Sequence, residues 1–158
     1  MIVLYEPLGL DEGHKLLEIG LGSGYSVVVA REIVGDKGLV VCIEIDSYTF
    51  AEGQKLVLDS GYEDIVLVQG DGAAGYPEYA PYDRICLTAA CPEVPPLLFS
   101  QLRTGGKLIS PVIKDGAQKI ILYEKGEAGI SALPIQNGIY NIPYVRLQGK
   151  CGKDTSQE

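Results

Sequence analysis

Three acidic residues stand where the strands of a ligand-binding sheet would end. Glu18 closes an apolar run, Glu44 closes a second, and Asp71 follows a third. A carboxylate accepts hydrogen bonds at both oxygens, so Glu44 suits the two hydroxyls of a ribose and Asp71 suits an exocyclic amine. Gly72 adds a backbone N–H beside Asp71 for a ring nitrogen. These residues predict a site for a ligand that carries a nucleoside.

A turn with glycine at alternate positions follows Glu18. Gly20, Gly22 and Gly24 allow a tight turn and let a ligand approach the backbone closely. A helix that begins after the turn would offer unpaired N–H groups and the positive end of its dipole. Ser23, inside the turn, could bond the ligand or cap this helix. We therefore predict that the turn lies against a polar arm of the ligand.

The residue at position 25 narrows the choice of ligand. A dinucleotide fingerprint places its third glycine where Tyr25 stands, and no Gly-Lys-Ser or Gly-Lys-Thr of a phosphate-binding loop occurs. The pattern Glu-x-Gly-x-Gly-x-Gly instead favours a ligand without phosphate, whose cationic amine can meet a carboxylate. S-adenosyl-L-methionine is a ligand of that kind.

The elements that must position these residues alternate between strand and helix. Near-continuous apolar runs are typical of parallel strands that are covered on both faces. Apolar residues at roughly helical spacing lie between them. The predicted strands are 15–19, 39–45, 65–69, 82–88 and 107–112, the predicted helices are 25–34, 49–60 and 95–102, and a turn is predicted at 104–106.

Two further apolar stretches, 119–124 and 142–147, are predicted to form strands that pair antiparallel. The fold class is therefore α/β, a Rossmann-like, mostly parallel, doubly wound sheet with an antiparallel edge strand. We expect one domain over residues 1–148 and a disordered tail over 149–158.

Composition excludes several classes of function. A formal net charge of −8 over 158 residues disfavours sequence-independent nucleic-acid binding, and no apolar run is long enough to span a bilayer. The four cysteines form no C-x-x-C pair and the single histidine, His14, has no second ligand near it, so no metal site is predicted. Cys42 and Cys86 lie in apolar runs and are expected to be buried thiols. The cytoplasm is the expected compartment.

Six motifs occur in a characteristic order along the chain. Residues 13–25 read Gly-His-Lys-Leu-Leu-Glu-Ile-Gly-Leu-Gly-Ser-Gly-Tyr, and 38–44 read Gly-Leu-Val-Val-Cys-Ile-Glu. Gly-Asp-Gly at 70–72, Pro-Tyr-Asp-Arg-Ile at 81–85, Thr-Ala-Ala-Cys-Pro at 88–92 and Gln-Leu-Arg-Thr-Gly-Gly-Lys-Leu at 101–108 follow. From about residue 9 to 112 the chain resembles the protein-L-isoaspartate (D-aspartate) O-methyltransferases.

The resemblance implies a seven-stranded class I methyltransferase fold with S-adenosyl-L-methionine as cofactor. It implies that Glu44 holds the ribose, that Asp71 and Gly72 hold the adenine, and that residues 20–24 hold the methionine side. It further implies methyl transfer to the carboxylate of isoaspartyl residues, a protein-repair reaction on protein or peptide partners. From the net charge and the lack of a bilayer-spanning run we expect no nucleic-acid or membrane partner. The oligomeric state stays open, with a monomer slightly favoured.

The chain also departs from the family pattern. Family members carry an N-terminal segment with a Ser/Thr-Ile-Ser-x-Pro-His-Met motif, and no Ser-x-Pro-His occurs here. We expect this chain to lack the substrate-recognition segment, and no catalytic residue is assigned. The closing strand of the family is also altered, to Asn-Ile-Pro-Tyr-Val at 141–145. The alternatives are a non-catalytic cofactor-binding or interaction domain, a methyltransferase for another substrate and, disfavoured by Tyr25, a dehydrogenase.

Overall fold

The computed structural model describes residues 4–135 and Gly149. Its strands and helices alternate through the first half of the chain, and three consecutive strands end the described part. The strands are β1 (Lys15–Ile19), β2 (Leu39–Glu44), β3 (Val66–Gln69), β4 (Tyr82–Leu87), β5 (Leu102–Lys114), β6 (Ala117–Gly126) and β7 (Gly129–Pro134). The helices are α1 (Tyr5–Leu8), α2 (Tyr25–Val34), α3 (Ser47–Asp59) and α4 (Pro96–Gln101), with 3₁₀ turns at Gly72–Ala74 and Pro77–Tyr79.

The seven strands form one sheet in the order β3-β2-β1-β4-β5-β6-β7. Strands β1 to β5 run parallel, and the pairings of β5 with β6 and of β6 with β7 are antiparallel. The predicted fold, a mostly parallel Rossmann-like sheet with an antiparallel edge, is therefore confirmed. Strand β1 lies in the middle of the parallel part, so the glycine turn that follows it emerges at the centre of the molecule.

Two details at the antiparallel end differ from the predictions. Residues 104–106 are not a turn that separates helix from strand, because β5 already begins at Leu102. The pairing of β4 with β5 shifts register there, from Tyr82 opposite Leu102 to Arg84 opposite Lys107, so the glycines lie in an irregularity of the strand. Strand β7 was not predicted. The predicted strand 142–147 and the predicted tail from 150 onwards lie outside the described residues.

Apolar side chains cover both faces of the sheet. On one face, Leu16 and Val40 pack with residues of α1, α2 and α3, and on the other Leu17 and Val41 pack with Leu98 of α4. Successive residues of a strand point to opposite faces, so neighbouring residues of β1 and β2 enter different cores. This two-sided burial explains why the parallel strands are apolar throughout.

The other sequence predictions concern thiols and His14. Cys42 and Cys86 are buried free thiols, as predicted. His14 precedes β1, at the end of the sheet away from the glycine turn, and its Nδ1 accepts a hydrogen bond from the Asp11 N–H at 3.0 Å. None of the four described α-helices has the length and apolar character needed to cross a lipid bilayer. No three metal-ligating side chains gather within residues 4–135.

Candidate functional site

The crevice of the sheet lies between β1 and β4. From β1 the chain first adds β2 and β3 on one side of β1, and it then crosses to the other side of β1 to add β4 and β5. In open α/β sheets a ligand binds at this reversal of strand order, outside the carboxyl ends of the strands. The glycine turn follows the carboxyl end of β1, Glu44 is the last residue of β2, and Asp71 follows the carboxyl end of β3. The sheet therefore brings the predicted residues to one edge.

The start of the glycine turn is held between two neighbouring strands. The Gly20 N–H donates to the Ile43 carbonyl at 2.8 Å, and the Thr88 hydroxyl lies 2.8 Å from the Gly20 carbonyl oxygen and 3.0 Å from that of Ile19. Gly20 has a φ of +103°, and a Cβ on it would lie 2.3 Å from the Thr88 Oγ1. Glycine is therefore required here both by backbone conformation and by the Thr88 contact.

The end of the turn touches helix α3 directly. Gly24 has a φ of +83°, and a Cβ on it would lie 2.5 Å from the Gly53 carbonyl oxygen. A Cβ on Gly53 would in turn lie 2.6 Å from Leu21 Cδ2 and 2.9 Å from the Gly22 carbonyl oxygen. Gly53 is the buried middle residue of a helix, and sequence analysis did not single it out. A glycine inside a helical run is the signal that could have indicated such a close approach.

Glu44 joins the end of β2 to the glycine turn. Its Oε2 accepts from the Leu21 N–H at 2.9 Å and from the Gly22 N–H at 3.4 Å, and its Oε1 accepts from the Asp46 N–H at 3.0 Å. The residue is only 9% exposed. Each carboxylate oxygen has two lone pairs, so Oε1, which accepts from one N–H, keeps capacity for a hydroxyl donor, whereas Oε2 already accepts from two N–H groups.

Asp71 begins the 3₁₀ turn that follows β3. Its Oδ1 accepts from the Ala73 N–H at 2.9 Å. Gly72 is buried against β1, because a Cβ on it would lie 2.3 Å from Ile19 Cγ2. Gly149 also lies against Asp71, since a Cβ there would be 2.6 Å from Asp71 Oδ2. The structure thus holds Asp71 and Gly72 close to the end of β1.

Ser23 and Tyr25 lie on the outer side of the turn. Ser23 is exposed, and its Oγ accepts a long hydrogen bond, 3.4 Å, from the N–H of Tyr25. Tyr25 is 57% exposed and is the first residue of α2. The N-cap position is Gly24, which has no side chain to bond the first N–H groups of the helix.

Glu18 differs from the other predicted residues because it is completely buried. The Ser26 Oγ donates to its Oε1 at 2.5 Å, and the Tyr5 hydroxyl bonds its Oε2. Glu18 lies opposite Cys42 of β2 and Cys86 of β4 in the sheet register. Its carboxylate therefore links α1, β1 and the first turn of α2 beneath the glycine turn. A direct contact of Glu18 with the ligand stays a prediction.

Burial dominates the electrostatics of Glu18. Removal from water raises the pKa of its carboxyl from 4.5 to about 7, and the hydrogen bonds from Ser26 and Tyr5 oppose that rise. Burial beside Glu18 also raises the pKa of the Tyr5 hydroxyl. The Tyr5 hydroxyl lies 3.1 Å from the Ser26 carbonyl oxygen as well, so it has a second acceptor when Glu18 is protonated.

The fold and this edge of the sheet define a class of protein. A seven-stranded sheet with a glycine turn after β1 and acidic residues after β2 and β3 is the arrangement of the S-adenosyl-L-methionine-dependent methyltransferases. The chain belongs to the protein-L-isoaspartate(D-aspartate) O-methyltransferase family, whose model matches residues 1–150. The resemblance seen in the sequence is thus confirmed, and S-adenosyl-L-methionine is the cofactor that the family assigns to this fold.

Individual relatives support this membership. The chain is 41% identical over 152 residues to a protein-L-isoaspartate O-methyltransferase of Methanococcus maripaludis strain S2, covering 95% of this chain and 68% of the relative. It is 40% identical over 127 residues to protein-L-isoaspartate O-methyltransferase 2 of Archaeoglobus fulgidus, covering 80% of this chain and 58% of the relative.

Solved structures agree with the fold. A protein-L-isoaspartate O-methyltransferase matches with a TM-score of 0.87 and 34% identity, over 95% of this chain and 47% of that protein. A Plasmodium falciparum protein described as a putative member, in complex with S-adenosyl-L-homocysteine, matches with a TM-score of 0.78 and 19% identity, over 91% of this chain and 71% of that protein. The chain therefore spans about half to two thirds of the relatives it matches.

Proposed function

We propose that this chain binds S-adenosyl-L-methionine at the carboxyl ends of β1 to β3 and takes part in methyl transfer to the free carboxylate of isoaspartyl residues in proteins or peptides. The observation that carries the proposal is the joining of Glu44 to the glycine turn by two backbone N–H groups, those of Leu21 and Gly22, while the Asp46 N–H orients the other carboxylate oxygen. Family membership supplies the reaction type.

The residues present fit the cofactor. Glu44 keeps a lone pair on Oε1 for a ribose hydroxyl, and Asp71 with Gly72 offers an acceptor and a donor for the adenine. Gly20, Gly22, Ser23 and Gly24 form the turn that faces the methionine side, and the N-terminus of the ten-residue helix α2 follows it. Glu18 supports this turn from below through Ser26.

The chemistry asks little of the side chains. When bound, S-adenosyl-L-methionine supplies an electrophilic methyl group on a sulfonium. The accepting carboxylate is already ionised near neutral pH, so no general base is required. The residues of this chain therefore contribute by holding the ribose, the adenine and the methionine side in fixed positions, and positioning of this kind supplies most of the rate of such a displacement.

Calorimetric titration with S-adenosyl-L-homocysteine tests the binding half of the proposal. Asp71→Asn keeps an oxygen that can accept from Ala73 but replaces the other oxygen with an amide NH₂, which cannot accept from the adenine amine. We expect its affinity to fall about tenfold or more. The control is Asp59→Asn, an equal charge loss at an exposed position of α3, which should leave the affinity unchanged. No binding by the unaltered chain would refute the cofactor site.

Radiolabelled methyl transfer tests the activity half. One peptide carries an L-isoaspartyl residue and its control carries an ordinary aspartyl residue in the same sequence. Methyl ester formed only on the first peptide supports the proposal. Binding of S-adenosyl-L-homocysteine without transfer to either peptide would favour a non-catalytic domain, and transfer to an unrelated acceptor would favour a methyltransferase for another substrate.

The cytoplasm is the compartment we propose for this activity. Cys42 and Cys86 are buried free thiols, and a reducing compartment preserves thiols in this state. An isoaspartyl-containing protein or peptide is the partner we propose. Fractionation of cells that produce the chain, followed by immunodetection, checks the first statement.

A further inference from the structure

Gln101, the last residue of helix α4, forms hydrogen bonds with the segment that connects β3 to β4. Its Nε2 donates to the Ala74 carbonyl oxygen at 2.8 Å, and its Oε1 accepts from the Tyr76 N–H at 2.8 Å. Gln101 is only 7% exposed, so these two bonds form away from bulk water. A buried amide that uses both its oxygen and its nitrogen on one backbone segment holds that segment in one conformation.

Gly75 lies directly beneath this amide. It has a φ of +64°, and a Cβ on it would lie 2.3 Å from Gln101 Oε1 and 2.6 Å from Nε2. Any side chain at position 75 would therefore displace Gln101. The Gln101 amide can occupy this position because residue 75 is glycine.

The segment that Gln101 holds is continuous with the predicted adenine site. The Gly75 N–H donates to the Gly72 carbonyl oxygen at 3.0 Å, which closes the 3₁₀ turn. The same turn begins with the Ala73 N–H donating to Asp71 Oδ1. Strand β3, which precedes the turn, has only four residues and lies at the edge of the sheet, so Gln101 adds a restraint on the turn from a helix beyond β4.

We propose that Gln101 is a positioning residue for the adenine side of the cofactor site, fixing the turn that presents the Asp71 carboxylate and the Gly72 N–H. The role rests on the proposed function, in which Asp71 and Gly72 receive the adenine. Gln101 touches no part of the cofactor in this role. It acts through Ala74 and Tyr76.

Two substitutions separate the two hydrogen bonds. Gln101→Met keeps the length of the side chain and removes both bonds, which leaves the Ala74 oxygen and the Tyr76 N–H without this partner. Gln101→Glu keeps the acceptor for Tyr76 but donates to Ala74 only when the new carboxyl is protonated. Ser100→Ala is the control, because the Ser100 hydroxyl is exposed and bonds the Leu97 carbonyl of its own helix.

The experiment compares two ligands by calorimetry. S-adenosyl-L-homocysteine carries the exocyclic amine that would donate a hydrogen bond to Asp71. S-inosyl-L-homocysteine carries an oxygen in place of that amine. We expect the unaltered chain and Ser100→Ala to prefer the first ligand at least tenfold, and Gln101→Met to reduce this preference severalfold. Gln101→Glu should lose the preference at pH 8 and regain part of it on acidification, whereas Gln101→Met should not respond to pH.

The outcomes distinguish this role from the proposed function. If Gln101 only stabilised the fold, Gln101→Met would weaken the binding of both ligands equally. An unchanged preference in Gln101→Met, with the unaltered chain still binding S-adenosyl-L-homocysteine, would therefore overturn the positioning role. Failure of the unaltered chain to bind S-adenosyl-L-homocysteine would overturn the proposed function and this role with it. If Gln101→Met does not fold, the pH response of Gln101→Glu decides, and a preference that stays constant with pH overturns the role.

Discussion

Gly24 and Gly53 meet backbone to backbone, because a Cβ on Gly24 would lie 2.5 Å from the Gly53 carbonyl oxygen. The glycine turn after β1 therefore rests on the middle of helix α3 with no side chain between them. A glycine inside a helix costs about 1 kcal/mol relative to alanine. That cost is offset here by a contact that only two glycines permit.

Gly53→Ala should lower both stability and cofactor affinity. The new Cβ would meet Leu21 Cδ2 at 2.6 Å and the Gly22 carbonyl oxygen at 2.9 Å, so the turn must move. Overpacking costs about 1–3 kcal/mol, of which the better helix propensity of alanine recovers about 1 kcal/mol. Urea unfolding and titration with S-adenosyl-L-homocysteine measure the two effects. Gln54→Ala, exposed on the same helix, is the control. Higher stability of Gly53→Ala with unchanged affinity would contradict the contact.

The Thr88 hydroxyl is expected to contribute more than the Thr88 methyl group to stability and to cofactor affinity. Thr88→Val keeps the shape of the side chain but removes the bonds to the Ile19 and Gly20 carbonyl oxygens. We expect a loss of about 1–2 kcal/mol in the free energy of unfolding and about tenfold weaker binding of S-adenosyl-L-homocysteine. Thr88→Ser keeps the hydroxyl and should stay within about twofold of the unaltered affinity. Equal affinities for the valine and serine variants would exclude this role for the hydroxyl.

Glu18 should make the stability of the chain depend on pH. Its pKa is about 7 when folded and 4.5 when unfolded, so the folded state binds more protons between these values. The free energy of unfolding therefore falls as the pH rises from about 4.5 to 7, and the contribution of Glu18 is complete only below that range.

Glu18→Gln removes this titration while keeping the size of the side chain. Between pH 5 and 8 the unaltered chain should lose roughly 2–3 kcal/mol more stability than Glu18→Gln. Urea unfolding at several pH values measures both curves, and Glu12→Gln, at an exposed position, controls for the loss of a charge. Parallel curves for the unaltered chain and Glu18→Gln would show that Glu18 is ionised throughout.

Lys125 joins the antiparallel edge of the sheet to helix α4. Its Nζ donates to the Phe99 carbonyl oxygen at 2.8 Å and to that of Leu102 at 2.7 Å, at the end of the helix. Lys125→Met should lower the free energy of unfolding by about 1–3 kcal/mol, because hydrogen bonds from a charged donor are lost and the helix dipole loses its cation. Lys119→Met, on the exposed side of the same strand, should change stability by less than about 0.5 kcal/mol.

The parallel part of the fold could be predicted because burial on both faces makes its strands apolar. The first predicted strand matches β1, and the predicted helix 25–34 matches α2, which glycines bound at both ends. Strand β7 could not be predicted in this way. All six of its residues are exposed, so no face of it needs an apolar pattern. The residues around Gly105 carried a turn signal, but pairing with β4 on either side of them, at Leu102 and Lys107, keeps them within an irregular strand.

The position of candidate site residues at strand ends could be predicted from the sequence, whereas contacts between side chains and residues distant in the sequence could not. Glu44 and Asp71 lie directly at strand ends, and a motif marks each. Tyr5 reaches Glu18 from 13 residues away, and Gln101 reaches Tyr76 from 25 residues away. Nothing in the local sequence of Tyr5 or Gln101 specifies these partners, because only the packing of α1 and α4 against the sheet brings them close.

Because β1 lies between β2 and β4, the shape of the glycine turn depends on contacts with distant parts of the chain. Gly20 meets Ile43 of β2 and also Thr88, which is 68 residues further along the chain. The turn therefore has its final shape only after a long loop has closed, and closing long loops is the slow part of forming parallel sheets. A cofactor that binds only the finished turn stabilises the whole domain by mass action. A cofactor bound at this turn would thus favour chains in which the contact between Gly20 and Thr88 has been made.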